Sequence, residues 1–264
     1  MTQAKVRSRP GKAIVRIAQP PEEWEELGPG VECFRRPDEE PVRRIITRGG
    51  VRRVGGYYSW KMRHHIVWES GPEERCAMLM DVHPSIAAFH AQPETIRVEV
   101  PGEKSFRYTP DFVCAIAGQA VRIEVKRLQD LFPKEPAGPH DEFGLRRWLK
   151  ARSVRARLRS VQAAYARCGL AWLLLTDVRM VAMAAPEVVD ELVAHGGRHI
   201  TEGDRRRLHD HLVAESSSSL GAAADVLREA DEPCGTVLAR VSEGALAVDL
   251  RGSLDADARV RLVR

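Results

Sequence analysis

Apolar positions in the middle of the chain change from helical spacing to strand-like runs. After a helix-start sequence at Ser70, apolar residues between Cys76 and Met80, and then Ile86 and Phe89, recur at roughly helical spacing. Three runs rich in β-branched and aromatic residues follow, and we expect them to pair as a meander: residues 96–100, 106–116 and 120–126.

A second helix and a further strand come after this meander. Residues 145–168 place Leu158, Val161 and Tyr165 on one face, with eight Lys or Arg and no acid on the rest. The apolar run 171–177 is typical of a fully buried strand. The order helix, three strands, helix, strand therefore predicts an α/β unit with helices flanking a central sheet.

The two ends of the chain have a different texture from this unit. Pro and Gly pairs in residues 1–55 predict a loop-rich arm with about one short element. Beyond residue 186, helical segments are expected at 187–195, 202–215 and 219–230, and an apolar alternation at 246–250 suits the wing of a winged-helix domain. The predicted parts are thus 1–55, 56–185 and 186–264.

Charge separates the last part from the rest. Residues 1–186 hold 31 basic and 22 acidic residues, a balance of +9, whereas residues 187–264 hold 10 and 15, a balance of −5. Such an asymmetry indicates a polyanion-binding region joined to a region with another partner. The five scattered cysteines and the lack of a long apolar run predict reduced thiols in a cytoplasmic protein with no membrane contact.

The strand-like stretch 106–126 carries the candidate chemistry. Side chains at i and i+2 of a strand share a face, so Glu124 and Lys126 should point together. If the two runs pair, Asp111 can lie across from Glu124, and the two carboxylates can hold Mg²⁺. The carbonyl of Val125 could add a ligand, and Lys126 could orient or deprotonate a water. This is the geometry of a metal-dependent nuclease.

A third acid is expected from the helix that packs over the sheet, and Glu73 is the preferred candidate. In the alternative interpretation, Ser70 and Glu73 form a capping box; Glu69 and Glu74 are the neighbouring candidates. Asp111 could likewise be an exposed turn residue, and the acid and lysine at the end of the second run could be a surface ion pair.

Two basic segments are candidates for phosphate contact. Residues 42–65 contain seven Lys or Arg and no acid, interleaved with aromatic residues, which suits backbone contact and base stacking, although a solvated surface arm would look the same. The second segment is the helix from residue 145. The predicted DNA-binding residues are Arg52, Arg53, Lys61, Arg63, Arg146, Arg147, Lys150 and Arg155.

Several motif strings resemble the TnsA family, the endonuclease subunit of heteromeric bacterial transposases, within the PD-(D/E)xK restriction-like nuclease superfamily. The resemblance covers roughly residues 56–177. It is carried by 68–73 (WESGPE), 87–93 (AAFHAQP), 108–112 (YTPDF), 123–126 (IEVK) and 175–177 (LTD). It implies a restriction-endonuclease-like central mixed sheet, with Glu73, Asp111, Glu124 and Lys126 at catalytic positions and Gln92 in a supporting one.

The resemblance also implies a role and partners. The family cuts the 5′, non-transferred strands at transposon ends with Mg²⁺, for which Mn²⁺ is expected to substitute. It acts with an integrase-like transposase, and its C-terminal domain is expected to contact an AAA+ ATPase. Two alternatives stay open from the residues alone: a stand-alone restriction or repair nuclease, and a catalytically inactive DNA-binding assembly module.

Overall fold

The computed structural model describes residues 22–37, 40–43, 53–100, 102, 104–138 and 140–263, and it is mixed α/β. The strands are β1 (Trp24–Gly28), β2 (Val31–Phe34), β3 (Gly55–Ser59), β4 (His64–Trp68), β5 (Ile86–Ala91), β6 (Thr95–Val98), β7 (Phe106–Tyr108), β8 (Phe112–Ile116), β9 (Gln119–Lys126), β10 (Ala171–Thr176), β11 (Ser218–Ser219), β12 (Leu246–Ala247) and β13 (Arg259–Leu262). The helices are α1 (Gly71–Val82), α2 (Leu128–Leu131), α3 (Glu142–Arg167), α4 (Asp177–Met183), α5 (Pro186–Ala194), α6 (Glu202–Glu215), α7 (Leu220–Asp225) and α8 (Pro233–Ser242).

Two four-stranded sheets form the larger part of the structure. The first has the order β1-β2-β6-β7, and the second β10-β9-β8-β5. The second sheet is mixed, because β10 runs parallel to β9 while β8 is antiparallel to both of its neighbours. One apolar cluster packs the second sheet against α1, and another packs the first sheet against α3.

The predicted meander is wrong, because the expected strand 106–116 splits between the two sheets. Residues before the break belong to β7, which pairs with β6, and residues after it belong to β8, which pairs with β9. Pro110 lies at the break; it lacks an N–H and cannot continue a ladder of backbone hydrogen bonds. The break leaves Asp111 at the junction between the sheets.

The helix predicted at Ser70 is confirmed, but it ends at Val82. Ile86 and Phe89 do not continue it, because they lie in β5. Pro84 explains the difference: proline disfavours helical backbone at the residue before it, and His83 is extended, with ψ 123°. The apolar positions that resembled one helix therefore belong to two elements.

The second half of the core differs from the prediction at β10. The helix expected at 145–168 is confirmed as α3, but the strand that follows lies at a sheet edge and is half exposed; Leu175 is its buried residue. An apolar run typical of a central strand thus borders solvent. The N-terminal segment also holds more structure than predicted, since β1 and β2 pair with each other and β2 pairs with β6.

The last part of the chain packs onto α1. The helices predicted at 187–195 and 202–215 are confirmed as α5 and α6, whereas the third, α7, ends at Asp225. β12, within the predicted wing, pairs with β13. Val189 of α5 and Val237 of α8 belong to the same apolar cluster as Met80 of α1. None of the helices in the described ranges combines the length and apolar character needed to span a bilayer.

A buried carboxylate connects the two sheets. Glu94 is 2% exposed and accepts hydrogen bonds from Arg122 of β9 at 3.0 Å and from Arg35, after β2, at 2.8 Å. Tyr165 of α3 donates to the same carboxylate at 3.0 Å. The guanidinium groups outweigh the effect of burial, so the pKa of Glu94 is lowered. The network thus joins β9 of the second sheet to the segment after β2 of the first sheet and to α3.

Candidate active site

Asp111 lies directly before β8. Because Phe112 pairs with Ile123, Asp111 lies close to the end of β9. Its Oδ2 accepts a hydrogen bond from the Val125 amide at 2.7 Å and lies 3.8 Å from the Lys126 ammonium. Burial and then the negative charge of Glu124 raise the pKa of Asp111 to about 8. The alternative of an exposed turn residue does not hold, because this carboxylate is enclosed.

Glu124 and Lys126 share a face of β9, as predicted, and form an ion pair. Glu124 is 5% exposed, so the pair is not the surface ion pair of the alternative interpretation. Burial opposes the charge on Lys126, but the carboxylates of Asp111 and Glu124 more than offset it and raise its pKa. Lys126 also donates to the carbonyl of Val125 at 3.0 Å. A single cation therefore bridges two carboxylates at the end of β9.

Two residues that the sequence analysis did not single out hold Glu124 in place. The Tyr108 hydroxyl donates to Glu124 Oε2 at 2.6 Å, and the indole N–H of Trp172 donates to that hydroxyl at 3.0 Å. An indole N–H can only donate, so the tyrosine hydroxyl must direct its own proton to Glu124. No local pattern indicated these contacts, because Tyr108 lies in the first sheet whereas Glu124 and Trp172 lie in the second.

Glu73 contacts the start of α1 through the Ser70 hydroxyl and the Glu69 amide, not through the Ser70 amide as the capping box of the alternative interpretation requires, and it also faces the cleft. Ser70 Oγ donates to Glu73 Oε1 at 2.7 Å, and the Glu69 amide donates to Oε2 at 2.7 Å. Its charge nevertheless acts on Asp111 and raises the pKa of that residue further. Of the neighbouring candidates, Glu69 lines the same cleft, whereas Glu74 lines a separate groove.

Gln92 contacts the candidate site through its backbone. Its amide N–H donates to the carbonyl of Asp111 at 2.9 Å, and its own carbonyl accepts from Val42 at 3.0 Å. The residue is 3% exposed with φ of +46°, a left-handed conformation that non-glycine residues seldom adopt. This turn at the end of β5 holds the backbone of Asp111 against the second sheet.

The acids and the lysine lie between two adjoining clefts. One, of about 580 Å³, is lined by Asp111, Glu124 and Lys126; the other, of about 620 Å³, is lined by Val125 and Lys126, and Glu73 lines both. Basic residues line each cleft: Arg43, Arg107 and Arg157 in the first, and Arg53, Arg147 and Lys150 in the second. A polyanion crossing both clefts would pass the acids at their shared wall.

The structure therefore separates the predicted DNA-binding residues into two groups. Arg53, Arg147 and Lys150 line the second cleft. Three arginines that were not predicted as DNA contacts, Arg43, Arg107 and Arg157, line the first, where Arg43 pairs with Glu69 and Arg107 with Glu22.

The remaining predicted contacts lie elsewhere. Lys61 donates to the carbonyls of Met80 in α1, His83 at its C-cap and Ile86 in β5, and burial lowers its pKa to about 8. Arg146 is exposed and pairs with Glu142, Arg155 donates to the carbonyl of Leu131, and Arg63 lies in the turn between β3 and β4. Arg52 falls outside the described residues.

The donor set fits a hard cation in part. Asp111 and Glu124 supply the oxygen ligands that Mg²⁺ prefers, and the ammonium of Lys126 already lies between them. Both oxygens of Glu73 accept hydrogen bonds from the helix start, and no group of three His, Cys, Asp or Glu side chains within the described ranges is arranged around a metal position. Asp111 and Glu124 are therefore the part of the predicted metal site that fits a hard cation.

No family model and no curated protein matches this chain. Buried carboxylates beside a lysine, at the wall of a cleft with basic residues, suit binding of a phosphodiester close to a charge-stabilising centre. A surface built only to bind DNA gains nothing from carboxylates placed near phosphate, because like charges repel.

Proposed function

We propose that the protein is a metal-dependent DNA endonuclease. The observation that carries the proposal is the contact of Lys126 with both Glu124 and Asp111, at the wall shared by two clefts that basic residues line. The mixed second sheet, with α1 beside it, supports a restriction-endonuclease-like core of the PD-(D/E)xK type. The pairing of β12 with β13 beside α6, α7 and α8 supports a winged-helix-like C-terminal part.

Each residue has a distinct role in the proposed reaction. Asp111 and Glu124, with the Val125 carbonyl, would hold Mg²⁺ or Mn²⁺, which when bound supplies charge neutralisation at the phosphate. Lys126 would orient the attacking water, because its ammonium lies beside both carboxylates. Tyr108 keeps Glu124 turned toward the lysine.

The basic residues would position the substrate. Arg147 and Lys150 lie on one side of the shared wall and Arg107 and Arg157 on the other, so a DNA backbone could be held on both sides of the scissile phosphate. Such contacts fix the register of the DNA without reading its sequence.

The finer proposal places this enzyme in a heteromeric transposase. It would cut the 5′ strands at transposon ends beside an integrase-like transposase, in the cytoplasm at the nucleoid. The support is the set of motif strings, which includes Asp111 and Lys126, and the acidic balance of −5 in residues 187–264, which suits contact with an AAA+ ATPase better than with DNA.

The test is nicking of supercoiled plasmid by the full chain with Mg²⁺ or Mn²⁺, alone and with any integrase-like transposase and AAA+ ATPase encoded beside its gene. We expect Lys126→Met to lower nicking at least ~100-fold. DNA affinity should stay unchanged, and Lys134→Met, at an exposed lysine, should behave as the parent. Cutting without partners would favour the stand-alone nuclease, and full cutting by the Lys126 variant would refute the assignment.

One observation favours the inactive-module alternative, namely the engagement of both Glu73 oxygens in the helix start. Calorimetry with Mg²⁺ decides between the two. Heat of Mg²⁺ binding that Asp111→Ala abolishes supports the enzyme, whereas DNA binding with no heat on adding Mg²⁺ supports the module.

A further inference from the structure

β10 is an edge strand of the second sheet, and its outer side forms no strand pairing within the described residues. Within the described residues, β10 pairs with β9 alone. The strand is six residues long and contains the apolar run Trp172, Leu173 and Leu174, each partly exposed. Edge strands usually carry charges, bulges or a covering element that prevents pairing with other chains. This edge has no charged residue between Ala171 and Thr176.

A groove of about 370 Å³ follows the open edge on the side of α3. Its apolar wall includes Trp172 and Leu174 from the strand and Phe132, whose side chain is 62% exposed. An extended segment that pairs with β10 would place every second side chain in this groove. The strand edge and the groove therefore offer main-chain hydrogen bonds and apolar side-chain contacts to the same segment.

Charge identifies the kind of segment that fits. Arg155, Arg159 and Arg179 line the groove, and no acidic residue does. A second copy of the chain would place its own arginines against these, which disfavours a symmetric pairing of two β10 edges. Residues 1–21 carry five Lys or Arg and no acid, so they are mismatched in the same way. DNA matches the charge but not the wall of Trp, Leu and Phe side chains.

We propose that the β10 edge and this groove bind an extended segment of a partner protein in which apolar and acidic residues alternate. The segment would add a fifth strand to the second sheet, with its apolar residues against Trp172 and Phe132. Its carboxylates would meet Arg159 and Arg179. The proposal is independent of the nuclease assignment, because it uses none of the acids at the end of β9.

The test is selection from a phage-displayed library of random peptides, with the immobilised full chain as bait. A parallel selection uses the Arg159→Glu/Arg179→Glu variant as bait. We expect the selected peptides to alternate apolar and acidic residues. Their synthetic forms should slow amide hydrogen exchange in residues 171–176 and should bind that variant at least ~10-fold more weakly, since two ion pairs become repulsive.

Arg167→Glu/Arg206→Glu serves as the matched control, because it makes the same charge change at two exposed arginines outside the groove. It should bind the peptides as the parent does. The proposal is overturned if the selected peptides are basic or if they protect another segment. It is also overturned if the parent chain enriches no sequence more strongly than the groove variant, Arg159→Glu/Arg179→Glu, does. Protection of residues 171–176 by duplex DNA, or a parent dimer that the groove variant loses, would also overturn it.

Discussion

Replacing Asp111 by Asn should stabilise the folded chain at alkaline pH while it removes the proposed activity. Burial and the charge of Glu124 raise the pKa of Asp111 from 3.8 to about 8. Between these two values the unfolded chain has lost a proton that the folded chain retains. The free energy of unfolding therefore falls as the pH rises through this window and levels off above the folded-state pKa.

The size of the effect follows from the same shift. One pKa unit corresponds to ~1.4 kcal/mol, so the rise from 3.8 to about 8 sets an upper limit of ~6 kcal/mol on the cost of ionising this residue. Asn keeps the oxygen that accepts from the Val125 amide but withdraws one of the two charges that Lys126 contacts. We therefore expect a net gain of ~1–3 kcal/mol above the folded-state pKa, which shrinks toward zero near 3.8.

Urea unfolding of the full chain without divalent ions, at a series of pH values, measures this difference directly. Asp130→Asn is the control, since it makes the same change at an exposed position close to the cleft. The reasoning is refuted if Asp111→Asn is no more stable than the parent at alkaline pH. A gain that does not depend on pH would refute it as well, because it could not come from ionisation.

Three further substitutions test the surroundings of the site. Tyr108→Phe removes the hydroxyl that donates a hydrogen bond to Glu124 and should lower nicking by ~10-fold or more without unfolding the protein, whereas Tyr58→Phe, at an exposed tyrosine, should leave nicking unchanged. Glu94→Gln leaves two guanidinium groups without their buried carboxylate and should lower the free energy of unfolding by ~3–5 kcal/mol, measured by urea titration. Lys61→Met loses three hydrogen bonds to carbonyls and should lower the free energy of unfolding by ~2–3 kcal/mol while DNA affinity stays unchanged. Unchanged stability with weaker DNA binding would instead support Lys61 as a DNA contact.

Local patterns predicted two features of the candidate site. The contact between Glu124 and Lys126 follows from strand alternation, and the start of α1 follows from the capping signal at Ser70, because each depends on residues close in sequence. The approach of Asp111 to the end of β9 needed one further assumption, the pairing of β8 with β9, which is the commonest arrangement of consecutive strands.

Longer-range features were not predictable in the same way. Glu94 meets partners 28, 59 and 71 positions away, so no window of sequence indicates that it is the buried centre of a network. Lys61 was assigned to DNA because it lies in a basic segment, yet the end of α1, 19 positions away, uses its charge. Basic composition predicts that a region carries positive charge, but tertiary packing decides which side chains remain free to meet phosphate.

The errors at Pro110 and at β10 bear on the proposed function. The sequence predicted one continuous strand at 106–116 and a fully buried strand at 171–177, and the structure has neither. Had residues 106–116 formed one strand, Tyr108 and Asp111 would lie in a single ladder. The break instead lets Tyr108, from the first sheet, reach Glu124 in the second. Trp172 of β10 completes that contact and also lines the open groove. Two successive hydrogen bonds, from Trp172 to Tyr108 and from Tyr108 to Glu124, thus connect the edge proposed to bind a partner with a carboxylate proposed to hold the metal.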